Sequence, residues 1–240
     1  MTDRPILFSG PMVRALLDGR KTQTRRLVAD VPPQPDINCH PEKRQLSAAP
    51  YLDAYCSERK TSNNPRGMSV NWCWWQVDDR QCLPTFKVKA KPGDRLWVRE
   101  TWSHTGDHVF SISDARRSPF GHAIYQADAN PEYPHAKFWP SIHMPREFSR
   151  MTLTVTDVRV ERLQGITEAD AVAEGCKQYS SATKLSRPFN AEWKGIYREG
   201  YAELWNEING AGAWESNPWV VAYTFTVHHG NIDRLSKEAA

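Results

Sequence analysis

A basic segment near the amino terminus, GRKTQTRR at residues 19–26, combines residue types suited to chemistry on a phosphate or an acyl group. Arginine presents a planar pair of donors that fits phosphate, and a desolvated lysine can lose its proton near neutral pH. A neutral Lys21 would then activate the Thr24 hydroxyl as a nucleophile. The alternative is a solvated basic turn without a function, and the segment taken alone favours that alternative.

Glu174 is a second candidate, because it falls in the last turn of a short helix that the sequence TEADAVAEG predicts. We expect Thr167 to cap this helix, with Asp170 at the reciprocal capping-box position and Gly175 at its end. The negative end of a helix dipole disfavours an ionised carboxylate, which would suit Glu174 for proton transfer. Most glutamates at helix ends are simply exposed, so the position alone indicates little.

The helices and strands around these candidates can be predicted from capping residues, prolines and glycines, and from the spacing of apolar residues. Residues 6–8 form a short apolar run typical of a strand, and residues 9–19 carry a cap, an early proline and a terminal glycine, which predict a helix. The sequence MTLTVTDVRVERL alternates and then changes phase, which indicates a bulge near Asp157. An amphipathic helix of about five turns is expected between Phe189 and Ile208, at the 3.6-residue period.

Further strands are expected at RLWVRET, at residues 122–127 and at a closing segment between Val221 and Val227, with the last dozen residues as a frayed tail. These strands are separated by loops rather than by regular crossover helices. The sequence therefore predicts an α+β fold with a small antiparallel β-barrel and helices packed outside it. We expect one domain over residues 1–240, with two long insertions at about 30–84 and 104–149.

Composition and charge indicate which partners, cofactors and cellular locations are expected. The net charge is only +3, but basic residues concentrate at 14–26 and 86–100, as expected for a face that binds a polyanion. The five cysteines form no CxxC pair and match no usual zinc spacing, so we expect no metal and no cofactor. No signal peptide or membrane span is apparent, which predicts a reducing, cytoplasmic location. Walker, GxGxxG and GxSxG motifs are also absent from the sequence.

Taken together and in order, GRKTQTRR, KPGDRLWVRETW, MTLTVTDVRV with ITEADAVAEG, and WVVAYTFTV resemble the ASCH domain family. The similarity is greatest to the larger ASCH proteins of phages and prophages. This resemblance implies a PUA-like β-barrel, related to RNA-binding modules, with a cleft at the barrel mouth. Small bacterial members are N4-acetylcytidine amidohydrolases that use a lysine, a threonine and a glutamate, which correspond here to Lys21, Thr24 and Glu174. Other members are described as ribonucleases or RNA binders.

The leading hypothesis is a hydrolase that acts on the exocyclic amide of a modified cytosine, either free or within RNA. Lys21 would deprotonate Thr24, Thr24 would attack the acetyl carbonyl, and Glu174 would handle the proton of the leaving group. The residues expected to bind the substrate are Arg20, Arg25, Arg26 and Arg99.

The expected partner is a modified nucleoside, RNA or single-stranded DNA, and no membrane. The alternatives are a binding module without turnover and a nuclease that uses the same basic site. The cluster Trp72, Trp74 and Trp75 would either stack on bases or belong to the core, with the core favoured.

Overall fold

The structure, a computed structural model, describes residues 2–28, 51–57, 69–75, 88–128, 137–178 and 196–238. The strands within these residues are β1 (Asp3–Leu7), β2 (Gln23–Leu27), β3 (Tyr51–Ser57), β4 (Ser69–Trp75), β5 (Arg95–Arg99), β6 (Trp102–His104), β7 (Ala123–Tyr125), β8 (Met151–Arg162) and β9 (Trp219–His229). The helices are α1 (Gly10–Leu17), α2 (Ile112–Arg117), α3 (Glu168–Ala173), α4 (Ile196–Asn209) and α5 (Ile232–Glu238).

A mixed five-stranded sheet in the order β1-β5-β8-β9-β2 forms the centre of the fold. The pairs β5–β8, β8–β9 and β9–β2 are antiparallel, whereas β1 and β5 are parallel. The long β8–β9 pair changes register between Val155 and Asp157, which confirms the bulge predicted near Asp157. One face of this sheet packs with α1 in a hydrophobic core that includes Val13, Leu16 and Phe225.

The expected closed antiparallel barrel is not formed by the described residues. Among them no backbone pairing joins the edge strands β1 and β2, and the β1–β5 pairing is parallel. The two edges are nevertheless close, because Arg26 Nη2 in β2 donates a 2.6 Å hydrogen bond to the Leu7 carbonyl in β1. The fold is therefore a mixed α/β arrangement with a curled, open sheet.

Both predicted insertions contain secondary structure. In the first, β3 and β4 form a separate antiparallel pair, and the tryptophans at 72, 74 and 75 belong to β4, but their side chains lie outside what is described. In the second, the predicted strand at residues 122–127 is confirmed in shorter form as β7, which pairs with β6. A small core of its own forms there around Trp102 and Met144.

The carboxyl-terminal region differs from the predicted frayed tail. Residues 232–238 form α5, and Ile232 at its start is fully buried. Arg146 holds this helix by an ion pair of 2.7 Å with Asp233, while it also pairs with Asp3 of β1. The prediction was wrong because a short polar helix that depends on distant ion pairs leaves little signal in its own sequence.

The predicted amphipathic helix is confirmed as α4 over 14 residues, whereas Phe189 lies outside the described residues. None of the helices in the described ranges has the length and apolar character that crossing a membrane requires.

Candidate functional site

Lys21 is positioned where the end of α1 meets the end of α3. Gly19 ends α1 with φ of 69°, and the amide of Lys21 donates to the Ala15 carbonyl at 3.0 Å. Lys21 then forms an isolated antiparallel bridge with Glu174, and Thr22 N donates to the Ala173 carbonyl at 2.8 Å. Backbone contacts therefore bring two residues together that lie 153 positions apart.

The side chains of Lys21 and Glu174 form a buried ion pair. Lys21 Nζ lies 2.7 Å from Glu174 Oε2 and 2.8 Å from the Glu174 carbonyl oxygen. The two side chains are only 2% and 4% exposed, so little water screens the pair. Two of the three ammonium donors are thus directed at the same residue, which fixes the lysine in one position.

Gly175 permits this close approach. Its φ is +75°, and a Cβ placed on it would lie 2.9 Å from Ala15 Cβ and 3.0 Å from Lys21 Cβ. Any larger residue would be strained in its backbone and would press on the backbone segment that carries Lys21. Gly175, which was predicted to end α3, therefore also leaves the space that Lys21 occupies.

Arg25 lies behind the pair with its side chain fully buried among three carboxylates. Its guanidinium is 3.2 Å from Glu174, 2.8 Å from Glu161 and 3.3 Å from Asp170. Nη2 has ion-pair distances to Glu161 and Asp170 but no hydrogen-bond geometry to either, so the attraction there is electrostatic. Burial disfavours the charge of Arg25, but Glu174 and Glu161 outweigh that cost and raise the pKa of its guanidinium.

Asp170 joins the charge cluster to the cap of α3. Its carboxylate accepts hydrogen bonds from the Thr167 amide and hydroxyl, which completes the predicted capping box, and from Arg159 Nη2 at 2.9 Å. Burial acts to raise the pKa of Asp170, yet the bonds from Arg159 and Thr167, together with nearby Arg25, lower it to about 2. The carboxylate is therefore ionised at neutral pH and lies near Nη2 of Arg25, whereas Glu174 lies near Nη1.

The predicted catalytic residues share one cavity of about 250 Å³. Thr24, in β2 opposite Tyr223 of β9, is 4% exposed. The residues that line the cavity are Leu7, Phe8, Ser9, Met12, Lys21, Thr24, Arg25, Arg26, Leu27, Glu174, Tyr201, Leu204, Trp205, Ile208 and Asn209. All three predicted catalytic residues therefore line the same cavity. They are Lys21, Thr24 and Glu174.

Aromatic side chains from two elements form much of the cavity wall. Phe8 follows β1, with Lys21 Nζ 5.6 Å and the Arg26 guanidinium 5.1 Å from its ring centre. Tyr201 and Trp205 come from successive turns of α4, with ring centres 5.9 Å apart. Burial, reinforced by the Glu174 carboxylate, raises the pKa of Tyr201 well above its ordinary value, so the phenol remains protonated.

The four arginines expected to bind substrate occupy different positions. Arg20 pairs with Asp18 at 2.8 Å and does not line the cavity, while Arg99 donates to the backbone carbonyls of Met144 and Ile142. Arg25 lines the cavity, but its charge is already matched by carboxylates. Arg26 lines it as an exposed residue, but its guanidinium donates to the Leu7 carbonyl and lies over the Phe8 ring, and burial lowers its pKa. The predicted basic rim is therefore reduced to Arg26.

Two other chemistries receive no support at this site. Burial, reinforced by nearby Glu174, raises the pKa of the Cys176 thiol to about 12, so this neighbouring cysteine is a poor nucleophile at neutral pH. No group of three metal-ligating side chains occurs in the described part of the chain. Among the described residues that line the cavity, hydroxyl groups are supplied by Ser9, Thr24 and Tyr201.

Sequence reasoning did not identify the aromatic wall or the carboxylates behind Arg25. Tyr201 and Trp205 lie on the apolar face of an amphipathic helix, and such residues are usually core. Glu161 ends an alternating strand and gives no functional signal. The chain matches no family model, no curated protein and no solved structure, so the functional argument depends on this geometry and on the sequence motifs.

Proposed function

We propose that the chain is an ASCH-type amidohydrolase that cleaves the exocyclic acyl amide of an N4-acetylcytidine-type modified cytosine. The observation that carries the proposal is the arrangement of Lys21, Thr24 and Glu174 around one cavity, with Lys21 and Glu174 in direct contact. A cavity lined by a threonine hydroxyl and a lysine–glutamate pair has the composition needed for acyl transfer, namely a nucleophile, a base and an acid.

In the proposed reaction, a proton first moves from Lys21 Nζ to Glu174 Oε2 along the 2.7 Å hydrogen bond. The two side chains are 2% and 4% exposed, so this transfer takes place away from bulk water. The neutral amine of Lys21 then accepts the proton of the Thr24 hydroxyl, while protonated Glu174 becomes the acid for the leaving nitrogen.

Bond making and breaking follow from these roles. Thr24 Oγ1 bonds to the acyl carbon, the carbon–nitrogen bond breaks, and the amino group of cytosine leaves with the proton from Glu174. Water, deprotonated by the same acid–base pair, then attacks the acyl ester of Thr24 and releases the carboxylic acid. The cycle ends with the threonine hydroxyl and the Lys21–Glu174 pair restored.

The size and walls of the cavity favour a single base as the bound group. Pockets for drug-sized ligands measure roughly 300–1,000 Å³, and this one, at about 250 Å³, suits one ring with its acyl group. Phe8, Tyr201 and Trp205 offer aromatic surface for a flat ring. A base within a strand would have to be extruded to enter. Among the predicted substrate-binding arginines, Arg26 lines the cavity without a carboxylate partner in the described residues, so a free nucleoside or an extruded base is favoured over a stacked strand.

A PUA-like fold and a cytoplasmic location belong to the same proposal. The hydrogen bond that links Arg26 to Leu7 across the open side of the sheet supports a barrel-like curvature, with the cavity at one end of that opening. The free thiol of Cys176 supports a reducing environment.

Acetate release from N4-acetylcytidine, and from acetylated and plain RNA oligonucleotides, tests the proposal. We expect release from the nucleoside, abolished by Thr24→Ala and by Lys21→Ala but retained by Thr22→Ala, because Thr22 is exposed and outside the cavity. Cleavage of plain RNA would replace the proposal with a ribonuclease, and salt-dependent binding without any product would replace it with a binding module.

A further inference from the structure

The carboxylate of Glu174 is held by two cations, one at each oxygen. Lys21 Nζ lies 2.7 Å from Oε2, and Arg25 Nη1 donates to Oε1 at 3.2 Å. Among the described residues no other side chain lies within ion-pair distance of this carboxylate. Because the two contacts are made on different oxygens, the carboxylate cannot turn about its last bond without losing one of them. Arg25 therefore fixes the orientation of Glu174 together with Lys21.

Arg25 is itself held in place by Glu161 of β8. Its Nε donates to Glu161 Oε1 at 2.9 Å, and Nη2 lies 2.8 Å from the same oxygen. Nη1 also donates to Gln23 Oε1 at 3.3 Å, and Asp170 lies 3.3 Å from Nη2. Arg25 is fully buried in its side chain, whereas Glu161 is partly exposed and does not line the cavity. Glu161 therefore acts on Glu174 through Arg25 and through its charge, and not by contact with a ligand.

Charged side chains from three elements surround the Lys21–Glu174 pair. Within the described residues they are Arg25 and Arg26 of β2, Arg159 and Glu161 of β8, and Asp170 of α3. Tyr201 of α4 and Cys176 also lie near Glu174, but burial raises the pKa of both, so they are neutral at neutral pH. Arg25 is the member of this set that contacts Glu174, and Glu161 carries the opposite charge directly behind it.

We propose that Arg25, held by Glu161, is a positioning residue that keeps Glu174 Oε2 directed at Lys21 and sets the pH range in which the pair transfers protons. Its role in the reaction rests on the proposed function, whereas its hold on Glu174 is tested below without any reaction. Removal of a positive charge near the pair favours protonated forms, and removal of a negative charge disfavours them. Variants at Arg25 and at Glu161 should therefore shift the pH dependence of activity in opposite directions, which a loss of packing alone would not do.

The pH profile of kcat for acetate release from N4-acetylcytidine tests the effect of charge. We expect both limbs of the profile to move to lower pH in Glu161→Gln, by on the order of one pH unit, and to higher pH in Arg25→Met. Arg25→Lys keeps the charge but loses the planar fork, so the profile should keep its wild-type position while kcat falls by up to about 100-fold. Glu147→Gln is the matched control and should leave the profile in place, because Glu147 also pairs with an arginine but does not line the cavity.

A double-variant cycle on stability tests the contact without the reaction. Urea unfolding of Arg25→Lys, Glu174→Gln and the double variant should show a smaller loss in the double variant than the sum of the two single losses, because the two side chains are in contact. If Arg25→Met does not fold, the shift of the profile in Glu161→Gln decides the effect of charge.

Additive losses of unfolding free energy, or a Glu161→Gln profile that does not move to lower pH, would overturn the inference. A shift of Arg25→Met in the same direction as Glu161→Gln would also overturn it. Non-additive losses in a protein that releases no acetate would sustain the hold of Arg25 on Glu174 while the proposed reaction fails, so the two outcomes can be distinguished.

Discussion

At the level of single residues, the proposed mechanism depends on the buried ion pair of Lys21 and Glu174. Glu174 Oε2 contacts Lys21 and Oε1 faces Arg25, so the carboxylate lies between two cations in a nearly water-free environment. In the proposed mechanism, Glu174 supplies the proton that the leaving nitrogen needs, and Lys21 supplies the lone pair that accepts the proton of Thr24. One proton transfer therefore prepares both the acid and the base.

Arg25→Met should destabilise the fold without changing which ligand binds. Removal of the guanidinium leaves Glu161, Asp170 and Glu174 without their shared cation, and breaking a buried ion pair in this way costs about 3–5 kcal/mol. Urea unfolding measures the loss. Arg116→Met is the control, because Arg116 and Glu147 form an exposed pair at 2.5 Å whose loss should cost less than about 1 kcal/mol. Equal losses of unfolding free energy in the two variants would show that the buried cluster stabilises the fold no more than an exposed ion pair does.

The lowered pKa of Asp170 predicts how the free energy of unfolding depends on pH. Its pKa is lowered from 3.8 to about 2, so its contribution to stability is present above pH 3.8 and is lost as the pH falls towards 2. Asp170→Asn should therefore lower the free energy of unfolding at neutral pH and flatten its decrease over that acid range. Denaturant unfolding at a series of pH values measures both. Asp107→Asn, at an exposed position, should leave the curve unchanged.

The candidate residues were predictable from sequence only in part. The family resemblance pointed to Lys21, Thr24 and Glu174, which line one cavity in the structure, and the capping role of Asp170 followed from its spacing to Thr167. The second role of Asp170, and the burial of Arg25, were not predictable, because adjacent basic residues such as Arg25 and Arg26 look equally solvated in a sequence. Only the pairing of β2 with β9 and the position of α3 place one inside and the other at the surface.

At the level of secondary structure elements, the junction of α1 and α3 decides whether the site forms. Gly175→Ala should destabilise the protein by more than the roughly 1–2 kcal/mol expected for a residue in the left-handed region alone, and it should reduce activity by displacing Lys21. Gly212→Ala separates the two effects, since Gly212 has φ of +81° but open space around its Cβ position. Thermal unfolding and acetate release measure both. Equal behaviour of the variants would show that contact with Lys21 has no consequence.

Helices and strands with strong local signals were predicted well. The early proline and terminal glycine of α1, the capping box of α3, the bulge in β8 and the amphipathic pattern of α4 are all encoded within a few residues of where they act, whereas the Ser9 side chain makes no capping hydrogen bond at α1. The parallel pairing of β1 with β5 was missed, because strand direction depends on how the chain crosses between Leu7 and Arg95 rather than on either strand's own sequence.

At the scale of the whole molecule, α5 ties the carboxyl-terminal region to the sheet. Ile232 is fully buried, and Arg146 contacts both Asp233 of α5 and Asp3 of β1. Ile232→Ala should cost about 2–5 kcal/mol, as for other large-to-small changes in a core, with KM unaffected because Ile232 does not line the cavity. Phe110→Ala, at a residue 81% exposed, should change stability little. A loss of ligand binding in the folded Ile232→Ala protein would contradict this separation.

The central claim is that Lys21, Thr24 and Glu174 act as one catalytic unit. Measurement of kcat/KM for N4-acetylcytidine in Thr24→Ala, Glu174→Gln and the double variant tests it most directly, with folding of each checked by its unfolding curve. Residues that act as a unit are strongly non-additive. We predict that each single variant loses nearly all activity and that the double variant loses no more. Losses that multiply in the double variant, or wild-type activity in Thr24→Ala, would contradict the account.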